Sequence, residues 1–206
     1  MRKITPNPAV LIAHSKALSI STAKYPVKRV VTKVFAIPQG NMNVVQDNMF
    51  LGTRPNRLII ALIDSRAYNG DYSRSCYEMK THDITSLCVF SEGQMYPSKA
   101  LKPSFDNDVY ARSYFSLFAG TGILWKDQGN FISYDDFKNG FCLFCFDLSA
   151  CMMNDYAVEI PKASNLRLEI NFGKALVSPV HIIAYGESDG MIEIDQARQV
   201  ITDFTS

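Results

Sequence analysis

Asn165-Leu166-Arg167-Leu168-Glu169-Ile170-Asn171-Phe172 is the stretch that decides the fold. Leu166, Leu168, Ile170 and Phe172 share one face of an extended chain, and Asn165, Arg167, Glu169 and Asn171 share the other. Strict alternation with a period of two marks a half-buried strand, because successive side chains leave a pleated backbone on opposite sides. Such a strand has one apolar face, and that face needs a second layer to cover it.

The neighbouring segments read the same way, less strictly. Residues 27–37 are β-branched, open after Tyr25-Pro26 and close at Pro38-Gln39-Gly40. Residues 57–64 hold the apolar run Leu58-Ile59-Ile60-Ala61-Leu62-Ile63, which suits a strand covered on both faces. Residues 84–90 turn at Glu92-Gly93 into Gln94-Met95-Tyr96, and 141–148 are aromatic-rich. Residues 180–185 and 191–195 read as two strands joined at the hairpin signal Asp189-Gly190, with 199–204 as a last one. Val109, Tyr110, Tyr114, Leu117 and Phe118 recur at helical spacing over 108–119, with Gly120 as the stop. Ser133-Tyr134-Asp135-Asp136 opens a shorter helix that ends at Gly140, its acids matched to a helix N-terminus. Residues 9–18 are compatible with a helix or an extended segment. Eight or so short strands, decorated loops and few helices predict an all-β protein, a β-sandwich with one or two short helices in loops.

Composition narrows the function classes. The chain has 206 residues, 47% of them hydrophobic, 12% aromatic and 20% charged, the profile of one globular β-rich domain. A net charge of +1 argues against specific nucleic-acid binding, which concentrates bases on one face. Lys24, Lys28, Arg29 and Lys33 are spread along a predicted strand and read as a solvated edge. Five cysteines are an odd set, unlike a disulfide framework. The sequence lacks an Asn-x-Ser/Thr sequon, and His14 and Lys16 break the early apolar run, unlike a signal peptide. Membrane helices need roughly 20 apolar residues, and no stretch approaches that. These features predict a soluble, reduced protein inside the cell during synthesis, with no membrane partner.

Catalytic and metal patterns fare poorly. Cys142-x-x-Cys145 lacks a second ligand pair, and strand residues three apart face opposite ways, so two buried thiols are expected. His14, His82 and His181 are isolated, without the clustered His and Glu of a cupin metal site. Gly120-Thr121-Gly122 is too short to cradle phosphate, and the loop acids lack calcium-loop spacing. The expectation is no cofactor, no metal and no enzyme. Trp125, in the polar loop Lys126-Asp127-Gln128-Gly129-Asn130, suits sugar stacking, loop anchoring or a subunit contact.

Several phrases in order along the chain carry a resemblance. They are His14-Ser15-Lys16-Ala17-Leu18, Thr22-Ala23-Lys24-Tyr25-Pro26, Ile37-Pro38-Gln39-Gly40-Asn41, Asn48-Met49-Phe50-Leu51-Gly52 and Ala67-Tyr68-Asn69-Gly70. Ser116-Leu117-Phe118-Ala119-Gly120-Thr121-Gly122, Asp127-Gln128-Gly129-Asn130, Phe146-Asp147-Leu148 and Ile192-Glu193-Ile194-Asp195 continue the set. Together they resemble the major capsid (hexon-like) proteins of Maverick/Polinton elements and adintoviruses. In that family two jelly rolls in one polypeptide form trimers that tile an icosahedral shell, and no residue is catalytic. The likeness covers the second, C-terminal roll and implies that residues 1–24 correspond to the connection leading in, and 25–206 to a single eight-stranded jelly-roll β-sandwich. The first roll is then missing or supplied by another chain. Ser73-Arg74-Ser75-Cys76-Tyr77 departs from the family's apolar loop, and Asp147-Leu148-Ser149-Ala150-Cys151 loses a usual proline.

The resemblance implies a structural protein of the virion, self-associating as a homotrimer with other capsid proteins and assembled in the host cytoplasm or nucleus. Large aromatics dominate interface energetics, so Trp125, Phe131, Tyr110 and Tyr114 are the expected subunit contacts. A glycan-binding, lectin-like sandwich is the alternative on the same architecture, because a fold does not specify a function.

Overall fold

Strand β7 (Leu166–Phe172) buries Leu166, Leu168 and Ile170 completely and Phe172 almost so, as its alternation requires. The computed structural model that shows this describes residues 4–50, 52–124, 126–149 and 165–202. Among the described residues nine strands in two antiparallel sheets form a jelly-roll type β-sandwich. In one sheet β1 (Ala23–Ile37), β8 (Val180–Ile194), β3 (Arg57–Asp64) and β6 (Leu143–Asp147) lie side by side, with β9 (Val200–Thr202) on β8. The other has the order β2 (Asn43–Gln46), β7, β4 (Ile84–Ser91) and β5 (Gln94–Leu101). Four helices among the described residues interrupt them: α1 (Pro8–Ile20), α2 (Ser65–Tyr68), α3 (Ala111–Thr121) and α4 (Tyr134–Lys138).

Register explains the core. Leu58 sits opposite Phe146 and Ile60 opposite Phe144, while Ile60 and Leu62 face Ala184 and Ile182 across the other ladder. These side chains and β4's Leu87 and Val89 join β7's apolar face in one buried cluster. Burial of this kind yields roughly 1.5–3 kcal/mol per large aliphatic side chain, which is why the alternation is obeyed so closely.

The chain divides into two compact units, residues 30–188 and residues 1–29 with 189–206. The larger holds both sheets' core. Within the smaller, α1 begins at Asn7, whose Oδ1 accepts from the Ala9 amide at 3.0 Å, with Pro8 in the first turn. No α1 residue is buried. Lys28 pairs with Asp189 at 3.0 Å, and the Thr22 hydroxyl donates to Glu193 at 2.7 Å.

Several element boundaries differ from the sequence expectation. β8 runs unbroken through Asp189-Gly190, and the chain reverses later, at Asp195–Gln199. There Arg198 takes φ 62° and the Asp195 carboxylate accepts the Gln199 amide at 2.7 Å. Gly190 is buried within the strand instead of turning it. Helix α3 passes through Gly120 and stops at Gly122, the residue in the left-handed region at φ 72°. Two short elements, β2 and α2, carry too little periodicity to be anticipated. Helix α4 opens with the expected cap: Ser133 and Asp136 satisfy each other's backbone amides in a capping box.

Candidate functional site

The aromatic cluster, the groove, the Arg57 contacts and the buried thiols described below lie in the 30–188 unit. The helical period of α3 sends Tyr114, Leu117 and Phe118 inward, where with Tyr110 they meet α4. Tyr110 stacks on Tyr134 with ring centres 4.1 Å apart, and Phe137 lies 5.9 Å from Tyr110 and 5.8 Å from Tyr114. A buried phenol needs a partner for its hydroxyl. Tyr110 donates to the Tyr134 carbonyl at 3.2 Å, Tyr134 to the Asp108 carbonyl at 3.0 Å, and Tyr114 to the Ile132 carbonyl at 2.8 Å. Burial pushes the Tyr110 phenol above its ordinary range. Lys138 closes the cluster on Asp108 at 2.5 Å.

This network fixes the loop before α4 from inside. The Ile132 amide donates to Asn130 Oδ1 at 3.1 Å while its carbonyl is held by Tyr114. Between those anchors Phe131 takes φ 59° and projects a fully exposed ring (102%). A bulky residue in the left-handed region costs about 1–3 kcal/mol and persists only where its surroundings impose it.

Of the four aromatics picked out in the sequence, the structure brings Tyr110 and Tyr114 together and sets Phe131 apart. Tyr110 is 2% exposed and belongs to the core, so its ring offers no surface to a neighbour. Tyr114 is partly buried against the same core. Phe131 is presented to solvent, and Trp125 lies outside the described residues.

A second feature escaped the sequence. Between edge strand β5 and the start of α3 lies a cavity of about 530 Å³, lined by Met95, Ser98, Lys99, Lys102, Val109 and Arg112 among others. Arg112 donates to the carbonyls of Lys99 at 2.8 Å and Ala100 at 3.2 Å, where the β4–β5 ladder is irregular. The bases come from two separate elements, so no local charge run announces them.

Arg57 fixes the far end of α3. Its guanidinium donates to the Gly120 carbonyl at 2.8 Å and the Thr121 carbonyl at 3.2 Å, and it pairs with Glu187 at 3.2 Å. A cation at a helix C-terminus satisfies carbonyls that have no partner within the helix.

Cys142 and Cys145 are free, buried thiols, 1% and 3% exposed. Desolvation pushes the Cys145 thiol up to about 12 from its ordinary 9.0, and Cys142 higher still. A raised folded-state value favours the protonated thiol. The stability it contributes is therefore complete below pH 9 and is lost as the pH rises toward 12. A thiol reagent at neutral pH is expected to label exposed Cys76 at once, and Cys142 and Cys145 only after denaturant is added. Mass spectrometry of labelled peptides checks this, and prompt labelling of either buried thiol contradicts it.

His14 lies on α1, His181 stacks on Tyr68 at 4.4 Å, and burial lowers the affinity of His82 for a proton. Among the described residues no three His, Cys, Asp or Glu side chains group closely enough to hold a metal ion. No helix among the described residues is long and apolar enough to cross a membrane.

No family model matches the chain. A Caenorhabditis elegans protein, the uncharacterized F54H12.2, is 25% identical over 183 residues, which cover 87% of this chain and 44% of that protein. Among solved structures, a chain of the Sputnik virophage superposes with a TM-score of 0.53 at 14% identity, over 89% of this chain and 39% of its own. The mavirus major capsid protein superposes with a TM-score of 0.43 at 12% identity, over 89% of this chain and 42% of its own. The chain thus spans less than half the length of the nematode protein and of the virophage chain, and it shares its fold with the virophage chain.

Proposed function

We propose that this chain is a non-catalytic building block of a capsid shell, equivalent to one roll of a two-roll subunit. The observation that carries the proposal is the shared fold with a chain of the Sputnik virophage, matched over less than half of that chain's length. Two-roll architecture accounts for the length difference: a first sandwich precedes this one or is supplied by another chain, and residues 1–24 lead from it. The resemblance of the ordered phrases to Maverick/Polinton and adintovirus capsid proteins supports the same reading.

The chemistry of such a protein lies in its surfaces. A rigid two-sheet core holds the loops, and the loops meet other subunits. Phe131 is the leading contact, being a fully exposed aromatic held in a strained backbone. Trp125 and the outer edge of Tyr114 complete the contact set. Self-association as a homotrimer, alongside other capsid proteins in the virion, follows from this reading.

Sedimentation velocity on the purified chain across a wide concentration range tests it. The mass is expected to rise from monomer toward trimer. A monomer throughout would refute self-association by this chain.

A further inference from the structure

From the distribution of unpaired charge we infer that the Phe131 loop of one copy docks into the β5–α3 groove of a second copy. This rests on the self-association proposed above and names the surfaces that perform it. The groove presents three cations, Lys99, Lys102 and Arg112, and none forms an ion pair with a carboxylate among the described residues. The segment around Phe131 has the opposite sign: Asp127 and Asp135 are exposed and have no cationic partner among the described residues. Within one copy these two sets of charges leave each other unanswered, and between copies they are complementary.

Shape agrees with charge. An aromatic ring hides about 150–250 Å² of surface when it is inserted, and a groove of 530 Å³ with Met95 and exposed Val109 has apolar walls for it. Other exposed aromatics fit less well. Tyr72 is equally bare, but its neighbours Asp71, Arg74 and Asp64 already pair among themselves. A loop entering a different patch on its partner is a head-to-tail contact, the kind that closes into rings when the rotation permits.

Four sedimentation measurements decide the matter: the parent chain, Phe131→Ala, Lys99→Glu/Lys102→Glu, and an equimolar mixture of the two variants. Circular dichroism confirms folding of each, and all three positions are exposed or loop-borne. Either variant alone is expected to associate at least roughly tenfold more weakly than the parent, as loss of a central aromatic anchor does. The mixture is expected to form one-to-one heterodimers, since one variant keeps its groove and the other its loop. Parent-like association by either variant, or failure of the mixture to pair, overturns the docking assignment while self-association stands. A parent chain that stays monomeric overturns both.

Discussion

Phe137→Ala is expected to lower folding stability by about 3–5 kcal/mol, the range for emptying a fully buried aromatic site. Phe137 is 0% exposed and is ringed by Phe105, Tyr110, Tyr114 and Phe144, with ring centres 5.8–6.5 Å away. Its removal leaves a void whose walls are themselves fixed: Tyr110 and Tyr114 are tied by their hydroxyls to Tyr134 and Ile132. Those bonds prevent the collapse that would soften the loss. Urea denaturation followed by tryptophan-independent circular dichroism gives the number. A loss under about 1 kcal/mol would mean that the aromatic cluster is not packed as described.

Gly120→Ala is the second large effect. A methyl group at residue 120 would lie 2.5 Å from the Cys145 sulfur and 2.9 Å from its backbone carbonyl carbon. The sulfur can rotate away; the β6 backbone, held by its ladder to β3, cannot. Overpacking of this type costs typically about 1–3 kcal/mol, and the fixed backbone puts this case at the upper end. Displacing the helix would also pull the Gly120 carbonyl from Arg57. Gly129→Ala is the matched control, because the nearest atom to its new methyl is 3.9 Å away. Equal melting temperatures for the two variants would rule out a close contact between α3 and β6.

Much of the sandwich was legible because burial imposes its period on the chain. β3 lies at residues 57–64 as its apolar run predicts, and β7 obeys its alternation. Errors arose where a local signal met a tertiary one. Asp189-Gly190 is a strong hairpin dipeptide, yet the strand continues through it. Gly120 looks like a helix stop, but it is a glycine because β6 passes too close for a side chain. The candidate contacts were less readable. Tyr110, Tyr114 and Phe131 are all large aromatics in one region, and composition alone does not tell which of them points inward. The decisive fact for Phe131 is a backbone angle set by hydrogen bonds at both flanks. The groove was invisible for a related reason: residues 95–102 and 109–113 are brought together only by the fold.

Arg112 has a consequence for how the protein behaves when crowded. An edge strand with bare carbonyls is a template on which another chain can lay a strand, the first step toward fibrils. At Lys99 and Ala100 that invitation is withdrawn, because the guanidinium already occupies the carbonyls and Pro97 has no amide hydrogen to offer. High local concentration along this rim therefore favours meetings through side chains, which separate again, over irreversible stacking of backbones.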